Sequence, residues 1–410
     1  MAAVTANGTK AAPGGWRRNY TSYTQPIVFG IVGLMIPTLV TNIPSLQNRW
    51  MPLTTMVLCA IFVLFTLGLN IVVGYAGLLD LGYVAFFLFG AYTAAWLMSD
   101  FFFQISPGIH LFDATVTDKT PGINLSFWLV LPIAALVAAL AGIIIGAPTL
   151  RLKSDYLALV TLGFGEILPQ VFRNGESVKG FNLSNGTKGI SPINALDMGW
   201  LSWTGVVASK VNVFDYTTRY YIIYALCVMF VFVSLRLRDG KLGRAWLAIR
   251  EDELAASLMG VPLMRTKLWA YGVGAAAGGI GGAFYAVSLG GVNVDTFNFQ
   301  FSVNVLCMVI LGGMANVYGC ILGAVILTWV NYTGMTEVGN SINSALGTSI
   351  SFPNYQFMLF GSVLVLMMLF RRDGILPAAR AKHSRELDEA IEARTVGEDT
   401  AEAEHAEVSA

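Results

Sequence analysis

Long uncharged apolar runs, separated by short polar connections, dominate this chain. They lie near residues 26–45, 52–73, 82–98, 126–148, 155–172, 219–236, 266–289, 302–316, 318–333 and 354–370. Most approach the ~20 residues that carry a helix across a hydrocarbon core of about 30 Å. The pattern predicts an all-α, polytopic helical membrane protein with about ten spans. A soluble protein with several buried helices would not need so many uncharged runs of spanning length.

Two runs break the pattern. In "GYAGLLDLGYVAFFLFGAYTAA" (74–95), Gly74, Gly77 and Gly82 crowd a segment that follows the previous span almost without a gap. In "ILGGMANVYGCILGA" (310–324), Gly312, Gly313, Asn316 and Gly319 interrupt what would be one long helix. Glycine-interrupted segments in both halves of a chain are a pattern of discontinuous transporter helices. Tight turns between ordinary hairpinned spans would leave the same trace, and the residues keep both readings open. Gly274, Gly278 and Gly282, and again Gly142 and Gly146, have the four-residue spacing that lets helix backbones approach, so they read as packing seams.

Charge then orients the chain. Only 12% of the 410 residues are charged and 55% are hydrophobic, against about 25% charged in an ordinary soluble domain. With ten crossings and the N-terminus inside, most Lys and Arg fall on inside segments, as the positive-inside bias requires. The stretch 236–267 alone holds Arg236, Arg238, Lys241, Arg244, Arg250, Arg265 and Lys267. The expected organisation is a cytoplasmic N-terminal tail (1–25), a transmembrane domain (26–372) containing a cytoplasmic loop (237–265), and a disordered cytoplasmic tail (373–410). The first 25 residues lack the apolar core of a cleavable signal, so the first span doubles as the insertion signal. Zero net charge implies no nucleic-acid partner.

Candidate chemistry is sparse. Cys59, Cys227, Cys307 and Cys320 sit inside apolar runs without CxxC spacing, and His110, His383 and His405 form no cluster, so no metal or cofactor is expected. No GxxxxGK[ST] loop is present to cradle a nucleotide phosphate, and no HExxH or GxSxG suggests hydrolysis. Uphill transport would draw on an ion gradient or on a partner. Ionisable residues inside spans are costly and mark function by default. Two acids qualify, Asp80 and Glu166. Asp80 directly precedes a helical run, where a carboxylate caps free backbone N–H groups. Glu166 lies mid-span beside Gly163 and Gly165 and is the better candidate for lining a polar path or gate.

The inside loop "GRAWLAIREDELAASLMGVP" (243–262) stands out for its short half-polar helix. Acids at its start suit the helix dipole. Leu254 and Leu258, and Ala255 and Met259, stack at i, i+4 into one apolar face, and Gly260 and Pro262 stop the helix. A helix lying on the membrane surface carries bulkier apolar residues and a basic polar face. Small Ala255 and Ala256 instead suit insertion into a protein groove.

This loop resembles the EAA motif of ABC importer permeases, in which Glu-Ala-Ala is followed after three residues by Gly. Leu254-Ala255-Ala256 and Gly260 hold that spacing, with the acid displaced by one position to Glu253. Together with "GYAGLLDLGYVAFFLFGAYTAA", "LRLKSDYLALVTLGFGEI" (150–167) and "MVILGGMANVYGCILGA" (308–324), the chain is similar to branched-chain amino acid ABC transporter permeases of the LivM type. The resemblance implies a subunit with no ATPase site of its own, in the plasma membrane of a bacterium. It implies a second related permease, two cytoplasmic ATPase subunits and an extracytoplasmic substrate-binding protein as partners within the lipid membrane. It places Glu253, Leu254, Ala255, Ala256 and Gly260 in the ATPase-coupling loop. Related permeases carry urea and short amides. From a different class, a self-sufficient ion-coupled carrier using Asp80 and Glu166 is the alternative. A membrane enzyme or scaffold finds no catalytic cluster to support it.

Overall fold

The computed structural model describes residues 50–102, 109–111, 122–152, 154–177, 182–196, 215–347, 351–371 and 374–376, with isolated positions between 30 and 42. The tails at 1–25 and 377–410, and most of the first apolar run, lie outside the described residues. The described positions of that first run are helical, and Tyr224 and Tyr220 donate to the carbonyls of Gly30 and Gly33 at 2.6 and 3.0 Å.

Helix α1 (Leu53–Leu69) continues through a widened π turn, Asn70–Tyr75. It is buried on every face, which is why its sequence is apolar throughout rather than striped. Next in the chain come α2 (Val84–Leu97), α3 (Phe127–Thr149), α4 (Ser154–Arg173) and α5 (Tyr216–Asp239), of which α5 packs directly on α1. The loop helices α6 (Lys241–Glu251) and α7 (Glu253–Leu258) follow. Then come α8 (Leu263–Leu289), α9 (Phe299–Gly312), α10 (Val317–Trp329), α11 (Met335–Leu346) and α12 (Gln356–Phe370). A second π turn, Val330–Gly334, fuses α10 to α11. Six of these stretches are long and apolar enough to cross a membrane: Leu53–Tyr75, Phe127–Thr149, Tyr216–Asp239, Leu263–Leu289, Val317–Ala345 and Phe352–Phe370. The protein is a polytopic helical membrane protein.

The glycine seams pack as their spacing suggests. A methyl added at Gly142 would come 2.7 Å from the Ala275 Cβ, because α3 and α8 approach almost backbone to backbone. Three strands of two or three residues, β1 (Met98–Ser99), β2 (Ile109–Leu111) and β3 (Ile123–Leu125), form a small sheet in the order β1-β3-β2. It closes the end of the α2–α3 pair, where Asn194 donates to the Met98 carbonyl at 2.8 Å.

At both glycine-rich segments the backbone leaves the helix. Residues 76–83 separate α1 with its π turn from α2, and Gly313–Asn316 separate α9 from α10. The helices beside the breaks, α2 and α9, have only 14 residues each, about 21 Å of rise, short of the ~30 Å hydrocarbon thickness. They pack on one another: Phe87 and Phe301 stack at 4.5 Å, and the Val84 N–H donates to Ser302 Oγ at 3.0 Å. The second break also touches the π turn that leads into the first. Ala315, at φ 66°, donates its N–H to Asn70 Oδ1 at 2.9 Å. Ile375 and Leu376 lie beside the second break, donating to the carbonyls of Leu311 and Gly312 at 2.9 and 3.1 Å.

Candidate functional site: a docking loop and an exposed polar helix face

The inside loop is two helices. Asp252 is extended (φ −153°, ψ 114°), so α6 stops at Glu251. Its carboxylate then accepts from the N–H groups of Leu254 and Ala255 at 2.8 and 3.0 Å, capping α7. The acidic triplet therefore divides its work. Glu251 ends one helix and Asp252 starts the next. Glu253 reaches across to Lys267, whose ammonium lies 2.5 Å away. The Lys267 side chain is only 6% exposed, so the Glu253 carboxylate neutralises a charge that would otherwise be buried alone.

Two further contacts tie the loop down. Trp246 of α6 is fully buried and donates its indole N–H to the Thr266 carbonyl at 2.8 Å, locking α6 to the start of α8. Arg250 sends Nη1 to the Gly74 carbonyl at 2.5 Å, into the π turn that ends α1. Burial lowers the Arg250 pKa from its ordinary value, while the neighbouring Glu251 carboxylate acts the other way.

What remains outside is apolar. Leu254, Leu258 and Met259 are 71%, 80% and 85% exposed, on a loop otherwise rich in charge. The i, i+4 face read from the sequence is thus an outward one. Ala255 shares the exposed side, but Ala256 is buried and packs inward, so of the two small residues only Ala255 faces outward. The chain turns away after Met259 through Gly260, whose φ of 83° suits glycine and whose surroundings are open.

The two acids have different settings. Asp80 is buried in the first break, and its Oδ1 accepts from the Gly82 N–H at 2.9 Å. It braces a turn two residues ahead of α2 rather than capping α2 itself, whose first flanking residue is Tyr83. Beside it is a small cavity of about 10 Å³, lined also by Thr161, Phe164 and Tyr271. That volume admits no more than about one water. Glu166 instead faces outward from α4. With Ile167, Gln170, Val171 and Asn174 it forms an open, shallow face on this one helix. Glu166, Gln170 and Asn174 recur every four residues, so their side chains form one polar row flanked by Ile167 and Val171. Gly163 continues the flanking row of Ile167 and Val171 with nothing near its Cβ position, whereas a methyl on Gly165 would stand 3.2 Å from the Gly82 Cα of the break.

Known proteins place this arrangement. Residues 51–368 match the sequence family described as branched-chain amino acid transport system / permease component. The chain belongs to that family. The high-affinity branched-chain amino acid transport system permease protein LivM of Escherichia coli (strain K12) is 36% identical over 336 residues, 79% of this chain and 69% of that protein. The probable LivM of Methanocaldococcus jannaschii is 25% identical over 331 residues, covering 77% of this chain and 90% of its own. A second permease protein of the Escherichia coli system, LivH, is 26% identical over 144 residues, 35% of this chain and 42% of that one. No solved structure matches. For this permease, Arg250, Trp246, Lys267 and Thr161 are participants that sequence reasoning passed over. Basic charge in the loop drew attention only as a topology signal, and the partners that matter here, Gly74, Thr266, Glu253 and Leu81, lie 14 or more positions away in sequence.

Proposed function

We propose that this chain is one permease subunit of an ABC importer that carries branched-chain amino acids across the plasma membrane. The observation that carries the reading is the firmly braced loop presenting Leu254, Ala255, Leu258 and Met259 to the outside. Apolar side chains that exposed are costly in water, and a groove on a cytoplasmic ATPase subunit is the partner that the family membership supports. Two such subunits, one per permease, supply the energy, and closure of the ATPase pair is relayed to the membrane core in alternating access. An extracytoplasmic binding protein delivers the substrate, and both tails of this chain face the cytoplasm.

The second permease covers the open face of α4. A polar row with a carboxylate facing lipid would be expensive, whereas the same row facing a water-filled seam between two permeases is not. In this seam Glu166 attracts the substrate ammonium, and Ile167 and Val171 accommodate its branched side chain. Asp80 and Gly165 hold the packing of the first break against α4, on the gate side of that path.

Uptake of labelled leucine into vesicles holding the assembled complex tests this. Transport is expected to require internal or external ATP on the ATPase side together with the binding protein, and to survive proton ionophores. Uptake by this chain alone, driven by a proton or sodium gradient, overturns the reading.

A further inference from the structure

We propose that Arg250 is a positioning residue that relays movement of the docking loop to the first glycine break, and through the break to α4. The inference rests on the import reading above and adds the connection inside this chain. Trp246 and the Glu253–Lys267 pair fix the loop helices to the start of α8, so α6 and α7 shift together with that segment. Arg250 extends from this unit into a different element. Its guanidinium donates to the Gly74 carbonyl, and its aliphatic stem rests where a side chain on Gly77 would have to go. A methyl at Gly77 would stand 2.8 Å from Arg250 Cγ, and Gly77 has a φ of 68°.

The far end of the same break is attached to α4 and α9. The Leu81 N–H donates to Thr161 Oγ1 at 3.1 Å, and the Val84 N–H donates to Ser302 Oγ at 3.0 Å. Gly82 and Gly165 pack backbone to backbone. Thr161 lies five residues before Glu166 on α4. A displacement entering at Gly74 therefore leaves at the helix that carries the exposed polar row. The intervening residues 76–83 have no helical ladder to resist it. An inert brace would need only the loop-to-α8 contacts, which are already present without Arg250.

The test uses the complete complex, with both permeases, the ATPase subunits and the binding protein, in vesicles. Arg250→Met should reach the membrane, co-purify its ATPase subunits normally and hydrolyse ATP in response to loaded binding protein. Leucine moved per ATP should fall roughly tenfold, within the usual range of about 5- to 150-fold for coupling between sites. Arg250→Lys, which keeps a donor for the Gly74 carbonyl, should recover most of the ratio. Gly77→Ala should lower it from the other side of the contact, and it carries the test if Arg250→Met is missing from the membrane. A wild-type ratio in Arg250→Met overturns the proposal. So does loss of ATPase association in that variant, which would make Arg250 a prop of the docking surface. Failure of the unmutated complex to show ATP-dependent uptake would instead overturn the import reading.

Discussion

Truncating the outward face of α7 should detach the ATPase subunits without disturbing the membrane core. In the double variant Leu254→Ala/Leu258→Ala, two side chains that are 71% and 80% exposed each lose most of their apolar area. Burying a leucine fully contributes about 1.5–3 kcal/mol, and alanine retains a minor part of that. Taking about 1.5 kcal/mol for each site, docking weakens by about 3 kcal/mol, a loss of affinity of roughly a hundredfold. The folded chain should hardly notice, since neither side chain packs inside it and surface changes of this kind stay within about 0.5 kcal/mol. The loop's own supports, the Asp252 cap, the Trp246 hydrogen bond and the Lys267 pair, are untouched. The assay compares membrane level, thermal unfolding, and titrated binding of purified ATPase subunits in detergent. Normal level and unfolding with a hundredfold weaker association is the expected result. Wild-type association would show that the exposed leucines meet lipid or water rather than a partner, and the docking assignment would fail.

Variants at Glu166, the Glu253–Lys267 pair and Gly260 probe other parts of the site. Glu166→Gln should slow uptake while leaving it dependent on ATP and insensitive to ionophores at clamped ATP; collapse with the proton gradient would favour a carrier. Glu253→Gln leaves the buried Lys267 ammonium without its carboxylate and should destabilise the loop by about 1–3 kcal/mol. Lys267→Met should cost less, so hydrogen exchange in α7 faster for the methionine variant than for the glutamine one would refute that ordering. Gly260→Leu should strain the turn by about 1–2 kcal/mol through its left-handed backbone alone, because the space around it is open. Gly260→Asn should be milder, and equal ATPase association by both variants and the wild type would dismiss the turn as a determinant of docking.

The long spans were legible because lipid-facing and core-facing residues are alike apolar, so spanning length alone marks them. The runs that became α1, α3, α5 and α8 are recovered to within a few residues. The loop helix was legible as an apolar face with a glycine stop, but its true start was not. Asp252 breaks the helix by capping the next one, and a run of three acids gives no sign of which residue does so. The inward turn of Ala256 was hidden for a similar reason: small residues suit a partner's groove and the chain's own interior equally well. Glu166 stood out because a carboxylate in an apolar run is conspicuous, and its exposure on α4 is what the structure adds. Arg250 was invisible as a site residue, since its partner at Gly74 lies 176 positions away and one more arginine in a basic loop attracts no notice.

The two glycine breaks also set where this membrane core can be reorganised cheaply. Within a helix, moving one turn means giving up a run of cooperative backbone bonds. At the breaks, the amides of Leu81, Val84 and Ala315 are each held by one side-chain oxygen, from Thr161, Ser302 and Asn70. Such bonds can be exchanged singly, each for a modest net cost of about 1 kcal/mol, with no helix melted. The interior thus has two yielding joints among rigid rods, and removing the hydroxyl by Thr161→Val or Ser302→Ala would alter the stiffness of a joint rather than the shape of a helix.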